Sequence, residues 1–232
     1  MTSNPGWSTQ GSWAWGQPTG GGSYNHDPTG GYTGSTVYGY NLSGDYASNI
    51  PAYYLTTPTI NCAGSTGVHL DFYRWLGVES NSNYDKATVE ASNDNGATWA
   101  VVWSAASTGA AVSDSSWQHV VYDISLIADN RPTVRIRWGM GPSDGSLTYP
   151  GWNIDDVKVW ASMPAPCNGV SAAPGDVNQD GVLDGLDIAA FVGVLINQGS
   201  ATNPQLCCSD LNGDCTVTID DIAPFVNLLL GS

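Results

Sequence analysis

The sequence predicts a mostly β protein in which a β-sandwich is followed by a small α-helical domain. Glycine is abundant, with 28 residues in a chain of 232, and only 12% of the residues are charged. This composition suits many short strands joined by tight turns. Near the C-terminus the alternation of apolar and polar residues gives way to a helical spacing, which occurs twice.

Eight segments within residues 1–161 read as strands bounded by Gly, Asn, Ser, Asp and Pro. In one of them, Val68, Leu70 and Phe72 stand at every second position, as in a strand with one buried face. Strands of this kind at this spacing predict a β-sandwich. The candidate strands are 36–42, 52–57, 67–76, 86–92, 98–104, 117–124, 132–138 and 152–160.

Two acidic loops, 176–187 and 210–221, precede the helical patterns and start 34 residues apart (210 − 176). Oxygen-bearing side chains recur at loop positions 1, 3, 5, 9 and 12, which is the spacing of a 12-residue calcium loop with a backbone carbonyl at position 7. Calcium is therefore the predicted cofactor. The candidate ligands are Asp176, Asn178, Asp180, Val182, Asp184 and Asp187 in the first loop, and Asp210, Asn212, Asp214, Thr216, Thr218 and Asp221 in the second.

Each loop is followed by an apolar pattern that fits one face of a helix, and no helix is predicted before either loop. The second loop has Cys215 at position 6, where the motif has Gly, and Thr218 at position 9. Because position 6 takes a left-handed backbone, we expect the second loop to bind calcium less tightly. The apolar positions are Ile188, Ala189, Phe191, Val192 and Leu195, and then Ile222, Ala223, Phe225, Val226 and Leu229.

This duplicated loop and helix, with Asp at position 12, resembles the type I dockerin domain over roughly residues 173–232. The resemblance implies that calcium orders two helices whose outer faces dock a cohesin-like partner. It places recognition at loop positions 10 and 11, which are Gly185-Leu186 and Ile219-Asp220 here. Because the two pairs differ, an interchangeable two-fold binding mode is in doubt.

Charge is distributed unevenly along the chain. Residues 163–232 contain 8 Asp and no Lys, Arg or Glu, so this part needs cations in order to fold. The whole chain has a net charge of −15, which argues against a nucleic-acid or anionic-membrane partner. No apolar stretch of about 18 residues predicts a transmembrane helix, and no signal peptide is visible.

The five cysteines suggest disulfides of an extracellular domain rather than a zinc site. Cys167 could pair with Cys207 or Cys208, and the remaining one of these two with Cys215. Two such bridges would leave Cys62 free. The sequence does not decide the pairing.

A second resemblance covers about residues 5–161. Segments 70–75, 87–92 and 151–157 together look like the MAM-type jelly roll and the related sandwich at the C-terminus of immune-inhibitor-A metalloproteases. The resemblance implies a jelly-roll β-sandwich. It does not carry over metalloprotease chemistry, since the chain has no HExxH motif and its three His residues are far apart.

That family often holds a calcium ion where the N-terminal segment meets the last strand. Asp155 shares a strand face with Val157 and Val159, so we expect it to point inward and to need a cation or several hydrogen bonds. Asp27 and Asp45 are loop acids that could join it. The alternative is that Asp155 caps backbone amides and the other two are turn residues.

Segment 92–99 matches the Asp-box S-x-D-x-G-x-T-W known from sialidase propellers. The chain has a single copy, so we interpret it as a structural hairpin turn in which Asp94 accepts turn amides, Gly96 takes a positive φ and Trp99 packs back over the turn.

No catalytic residue is predicted. A nucleophile elbow and a phosphate loop are both missing, and the neighbours Asp155 and Asp156 would point to opposite faces of a strand. Aromatic residues are numerous, and we expect most of them to fill the core or hold the N-terminal segment. An exposed row of them on one sheet would instead indicate a sugar-binding module.

The predicted domains are a sandwich over 1–161, a linker over 162–174 and a calcium-binding domain over 175–232. The predicted function is a non-catalytic, calcium-binding extracellular bacterial protein for surface attachment or assembly. Its dockerin-like domain would dock a partner, self-assemble or pack on its own sandwich. The alternative functions are a carbohydrate-binding module of a secreted hydrolase and, with less support, a hydrolase.

Overall fold

The computed structural model describes residues 3–63, 65–79, 84–161, 173–212 and 216–231. The chain divides into two compact units, Met1–Ala161 and Ser162–Ser232. The predicted linker, 162–174, falls largely outside the described residues.

The first unit is a β-sandwich of two antiparallel sheets. The five-stranded sheet has the order β1-β4-β10-β6-β7. Its strands are β1 (Ser8–Thr9), β4 (Tyr53–Thr56), β6 (Ala87–Ser92), β7 (Ala100–Ser104) and β10 (Arg135–Met140).

The six-stranded sheet has the order β2-β3-β11-β5-β8, and β9 also pairs with β5. Its strands are β2 (Trp13–Gly16), β3 (Val37–Tyr40), β5 (Val68–Val78), β8 (Val112–Ser113), β9 (Gln118–Asp123) and β11 (Gly151–Ala161). β11 and β5 are the longest strands, and they pair with each other at the centre of this sheet.

All eight predicted strands are present, and the predicted fold class is confirmed. The segments that the sequence did not indicate are β1, β2, β8 and a short helix α1 (Ser125–Ala128). All four have only two to four residues, too few for a period to be visible.

The space between the sheets is filled largely by aromatic side chains. Trp138, Trp152 and Phe72 are fully buried there, and Tyr38 and Tyr40 come from the N-terminal strands. The expectation that most N-terminal aromatics serve the core is confirmed for these residues.

The Asp-box segment forms the hairpin turn between β6 and β7. Asp94 accepts hydrogen bonds from the backbone N–H and the hydroxyl of Thr98, and these bonds lower the pKa of Asp94. Gly96 has φ +93°, and Trp99 donates its indole N–H to the Gly96 carbonyl at 3.0 Å. The structural interpretation of this motif is confirmed.

The described part of the second unit contains three α-helices, α2 (Asp187–Ile196), α3 (Asn203–Ser209) and α4 (Ile222–Leu230). Phe191 of α2 stacks on Phe225 of α4, with ring centroids 4.1 Å apart, and these rings form the centre of a small core. The two predicted helices are therefore confirmed.

The prediction that no helix precedes either loop is wrong for the second loop. α3 ends at Ser209, directly before Asp210. Its start is set by a capping box in which Thr202 accepts from the N–H of Gln205 and the Gln205 side chain accepts from the N–H of Thr202. Pro204 lies in the first turn, which is a favoured place for proline. This proline made the helix hard to recognise from the sequence.

Candidate calcium sites

The side chain of Asp187 ties the first loop to the helix that follows it. Asp187 is fully buried at the start of α2. One carboxylate oxygen accepts from the N–H groups of Val177 (2.9 Å) and Asn178 (3.0 Å), and the other accepts from the N–H of Asp184 (3.0 Å). A single carboxylate thus joins the beginning and the end of the loop.

The remaining first-loop acids fold the loop on itself. Asp176 accepts from the N–H of Asp180 (3.1 Å) and of Gly181 (3.0 Å), and Asp180 accepts from the N–H of Val182 (2.9 Å). Gly181 has φ +86°, the left-handed backbone expected at position 6. The side chains predicted as ligands are therefore gathered within one tight turn.

The second loop repeats the arrangement around Asp221. This residue is fully buried, and one of its oxygens accepts from the N–H groups of Leu211 (2.8 Å) and Asn212 (3.1 Å). The other oxygen accepts from the N–H of Thr218 at 2.8 Å. Position 12 thus has the same role in both repeats. Asp214 and Cys215 lie outside the described residues.

The donor set of both loops suits a hard cation. All the predicted ligands are carboxylate, amide, hydroxyl or carbonyl oxygens, and calcium takes six to eight such ligands. Since residues 163–232 contain no Lys or Arg, no side chain of this segment can offset its 8 Asp. Bound calcium would supply that charge and would be held by the twelve loop residues named from the sequence.

Aliphatic side chains stand exposed on both loop helices at a four-residue spacing. They lie in equivalent positions of the two repeats and have 41–79% of their surface exposed. We call this set the aliphatic face, and it consists of Ile188, Val192 and Ile196 on α2 and Ile222, Val226 and Leu230 on α4. A groove of about 500 Å³ brings Ile188 together with Val226 and Leu230, so the two helices contribute to one surface.

A different group of oxygen ligands lies in the sandwich, where Asp27 meets Asn153 of β11. The Asn153 side chain donates to one Asp27 carboxylate oxygen at 2.6 Å. Asp27 is 4% exposed and Asn153 is 1% exposed, yet the second oxygen of Asp27 and the amide oxygen of Asn153 are buried without a hydrogen-bond partner. Burial raises the pKa of Asp27 to about 7, and the charge of Asp45 adds to that rise.

These atoms fit a cation. Buried polar oxygens without hydrogen-bond partners cost free energy. Burial and a neighbouring carboxylate destabilise the ionised form of a carboxylate, and a positive charge stabilises it. Asp45, which accepts from the N–H of Ser23 at 2.8 Å, is within electrostatic reach of Asp27. The structure therefore brings Asp27 and Asp45 together. It adds Asn153, which the sequence did not indicate because the residue stands 126 positions from Asp27.

Asp155 is fully buried, but not for the reason given by the strand pattern. A bulge between Asp155 and Lys158 interrupts the alternation of β11, so Asp155 does not share a face with Val157 and Val159. Its carboxylate accepts from the N–H of Thr33 (3.0 Å) and from its neighbour Asp156 (2.8 Å). These bonds fit the amide-capping alternative, and a role for Asp155 in metal binding stays a prediction.

An acidic cluster that the sequence did not indicate joins Glu79, Asp85 and Asp144, with one oxygen of each within 4.8 Å of the others. Asp85 is buried and accepts from the hydroxyl of Tyr46 and from the N–H of Asp144 (2.8 Å). Burial raises the pKa of Asp85. Both Asp85 oxygens have protein partners, so the cluster is part of the fold. Glu79 and Asp85 lie in the connection between β5 and β6, and Asp144 lies in the connection between β10 and β11, which sequence spacing does not relate to the first.

The cysteines limit the disulfide alternatives. Cys62 and Cys208 have free thiols, whereas Cys207 is disulfide-bonded. Cys167 and Cys215 lie outside the described residues. A two-bridge arrangement needs both Cys207 and Cys208, so that prediction is wrong.

Two family models match separate parts of the chain. Residues 174–230 match the dockerin type I domain, which confirms the resemblance of the C-terminal segment. Residues 49–159 match Reelin subrepeat B, which supports the jelly-roll prediction and supports the MAM-type resemblance only loosely.

A relative in Bacillus subtilis (strain 168) is Bacillopeptidase F, which is 30% identical over 151 residues. The match covers 65% of this chain but only 9% of that protein, so the chain spans less than a tenth of the relative's length.

Solved structures similar to this chain include two carbohydrate-binding modules and an adhesin domain. TmCBM61 in complex with β-1,4-galactotriose is 11% identical, with a TM-score of 0.40, and the match covers 68% of this chain and 89% of that one. The K1 cleaved adhesin domain of Lys-gingipain from Porphyromonas gingivalis W83 is 16% identical, with a TM-score of 0.42 and coverage of 67% and 90%. The CBM22-1 xylan-binding domain from Paenibacillus barcinonensis Xyn10C is 11% identical, with a TM-score of 0.40 and coverage of 67% and 85%. All three TM-scores are below 0.5, and nothing about this chain's activity follows from them.

Within the described residues, no helix has the length and apolar character needed to cross a membrane. The chain thus carries a β-sandwich that matches Reelin subrepeat B and a C-terminal segment that matches the dockerin type I domain and is called the dockerin domain below.

Proposed function

We propose that this chain is a non-catalytic protein of extracellular assembly, whose dockerin domain docks a cohesin-like partner when calcium is bound. The observation that carries the proposal is the aliphatic face, which both repeats build from equivalent positions. An exposed apolar surface of this kind on a small domain is typical of a protein-binding site.

Calcium would act here as a structural ion. It would neutralise the acids of each loop and so allow α2 and α4 to take fixed positions. The chain's own contribution is made by Asp187 and Asp221, because each holds three loop N–H groups to the first turn of a helix. Loss of the ion would separate the two halves of the aliphatic face.

The aliphatic face suits a protein partner because its side chains repeat at i, i+4 and i+8 on each helix, as in helices that pack into an apolar groove. Next to it, Leu186 at position 11 of the first loop and Ile219 at position 10 of the second are also exposed. These two residues are not equivalent in the repeats. We therefore expect one preferred orientation of the partner rather than two interchangeable ones.

The experiment is calorimetric titration of the full chain with recombinant type I cohesins, first in calcium and then in a chelator. Val192→Asp and Val226→Asp, which place a charge in the aliphatic face, should weaken binding by roughly a hundredfold or more. Leu126→Asp is the matched control, since Leu126 is a fully exposed aliphatic residue of the sandwich.

Calcium-dependent binding that only the two helix variants abolish supports the proposal. Failure of every cohesin to bind, in a chain that sediments as a monomer, overturns it. Calcium-dependent self-association that the same variants abolish replaces the cohesin with a second copy of the chain and contradicts the proposed partner.

The absence of catalysis, the extracellular location and the calcium ligands of the sandwich are parts of the same proposal. A role of the sandwich as a carbohydrate-binding module is compatible with it, because sugar binding would use a different surface from the helices.

A further inference from the structure

We propose that the outer face of the six-stranded sheet binds a neutral polysaccharide chain along a row of aromatic side chains. The aromatic row consists of Trp160, His69, Tyr32, Tyr73, Trp75 and Trp117. It belongs to the sandwich, so it does not depend on the calcium loops or on the aliphatic face.

The row follows the direction of β5. His69, Tyr73 and Trp75 stand at odd positions of this strand, and the even positions Leu70 and Phe72 are buried in the core. The odd positions therefore face outward. At about 3.3 Å per residue, His69 and Trp75 are separated by roughly 20 Å, enough for several sugar rings in an extended chain.

Each outward ring of β5 is paired with a ring from a neighbouring segment. His69 stacks on Trp160 of β11 with centroids 4.5 Å apart, and Tyr73 stacks on Tyr32 at 3.5 Å. Both pairs are nearly parallel, with interplanar angles of 7° and 9°. The rings are thus held before a ligand arrives, and little conformational entropy is lost on binding.

The outer member of each stacked pair is open to solvent, since Tyr32 is 48% exposed and Trp160 is 42% exposed. Flat apolar ring faces match the C–H face of a pyranose ring.

At one end of the row, Trp75 and Trp117 line a groove of about 400 Å³ against a loop rich in glycine. Trp75 is fixed there by a 2.8 Å hydrogen bond from its indole N–H to the His26 carbonyl. Gly30 and Gly34 contribute no side chains to the opposite side of the groove, which keeps that side open. A chain lying on the rings can therefore continue into this groove.

Polar groups lie between the rings, where sugar hydroxyls would need partners. His119 contacts Asp71 at 2.7 Å, and the hydroxyl of Thr33 donates to Asp156 at 2.8 Å. Lys158 is paired in register with Asp71 across the two central strands. Such groups can exchange hydrogen bonds with hydroxyls at the rim of each ring pair.

The charge of this face selects the kind of ligand. Asp71, Asp123 and Asp156 lie on or beside it, with Lys158 as the basic residue among them, and the whole chain has a net charge of −15. Anionic polysaccharides and nucleic acids would therefore be repelled, whereas a neutral glycan would not. A protein partner is less well matched, because the exposed rings alternate with polar groups instead of forming a continuous aliphatic surface like that of the helices.

The test is affinity electrophoresis of the full chain, in calcium, through gels that contain soluble neutral polysaccharides. Xyloglucan, galactan and mixed-linkage glucan would be used beside an acidic polygalacturonate gel, and calorimetry with matching oligosaccharides would follow. Tyr32→Ala and Trp160→Ala should each weaken binding roughly tenfold. Tyr84→Ala is the control, because Tyr84 is similarly exposed, at 45%, but stands three residues before the start of β6 of the other sheet.

The proposal is supported if a neutral polysaccharide retards the wild type and if Tyr32→Ala and Trp160→Ala are both retarded less at unchanged melting temperatures. The Tyr84→Ala control should be retarded like the wild type. If Trp160→Ala lowers the melting temperature, the decision rests on Tyr32→Ala, whose side chain lies in a loop. Retardation by polygalacturonate alone, equal retardation of all variants, or no retardation in any gel overturns it. Because the helix variants leave this readout untouched, its failure is distinguishable from failure of cohesin docking.

Discussion

The sandwich and the dockerin domain differ in what holds them together. The described part of the sandwich buries many large side chains between two sheets, with Trp138, Trp152 and Phe72 fully enclosed. The dockerin domain has a small core around the Phe191–Phe225 stack, and both buried loop carboxylates bind backbone N–H groups. A large apolar core is stable by burial alone, whereas a small one with many acids needs added charge or cross-links.

The tryptophans and the longest helices lie in different units. All ten Trp residues lie between positions 7 and 160, and residues 163–232 contain no Trp or Tyr. The three longest helices lie in the dockerin domain. Tryptophan emission therefore reports on the sandwich, and the helical circular dichroism signal reports mainly on the dockerin domain.

The largest expected effect is that of calcium removal. With a chelator, the dockerin domain should lose most of its helical signal, because the loop acids then repel one another and α2 and α4 lose their anchors. Tryptophan emission should change little, since the aromatic core is stabilised by burial rather than by the loop ions. Circular dichroism and fluorescence during a calcium titration measure both. A helical signal that survives chelation would show that the dockerin domain does not need calcium to fold, and would contradict the contrast with the sandwich.

The next effect compares two core phenylalanines. Phe225→Ala should cost about 3–5 kcal/mol and leave the dockerin domain largely unfolded, because the small core cannot absorb such a cavity. Phe72→Ala removes the same side chain from the sandwich and should leave calcium binding intact. Calcium calorimetry and thermal melting followed by both signals would separate the two outcomes. Loss of calcium binding in Phe72→Ala would show that the units do not fold independently.

A smaller effect distinguishes the two loops. Asp187→Asn should weaken calcium binding at the first loop roughly 10–100-fold, since hydrogen bonds to a charged group are worth about 1.5–3 kcal/mol. Asp221→Asn should do the same at the second loop, which we expect to be the weaker site of the wild type. Calorimetry of both variants assigns the two affinities, with the exposed Asp220→Asn as control. Equal calcium affinities of the two loops in the wild type would contradict the prediction that Cys215 and Thr218 weaken the second site.

The smallest effect concerns α3. Thr202→Ala removes half of the capping box and should lower the stability of the dockerin domain by about 1 kcal/mol, without changing tryptophan emission. Urea unfolding followed by the helical signal measures the change. An unaffected midpoint would mean that α3 is held by packing rather than by its cap.

Local patterns in the sequence predicted the elements whose signals lie within one segment. Strands such as β5 and β10 are long enough for alternation to be read, and the loop ligands stand within twelve residues of one another. β1 and β8 were not predicted, because a strand of two residues is too short to show a period. α3 was not predicted, because Pro204, which stands shortly before two cysteines, makes the start of a helix hard to recognise. Asp155 shows the limit of the strand pattern, since one bulge changed the face it occupies.

The sequence by itself determined the two-part organisation, the paired acidic loops and the helices after them, because each depends on neighbours along the chain. Only the tertiary structure decided that Asp27 meets Asn153 over 126 positions and that Glu79, Asp85 and Asp144 converge. The same holds for the rings of two strands and two connecting segments that form one row. These groups come together through sheet pairing and loop packing, whose partners are distant in sequence, and no local pattern encodes such distances.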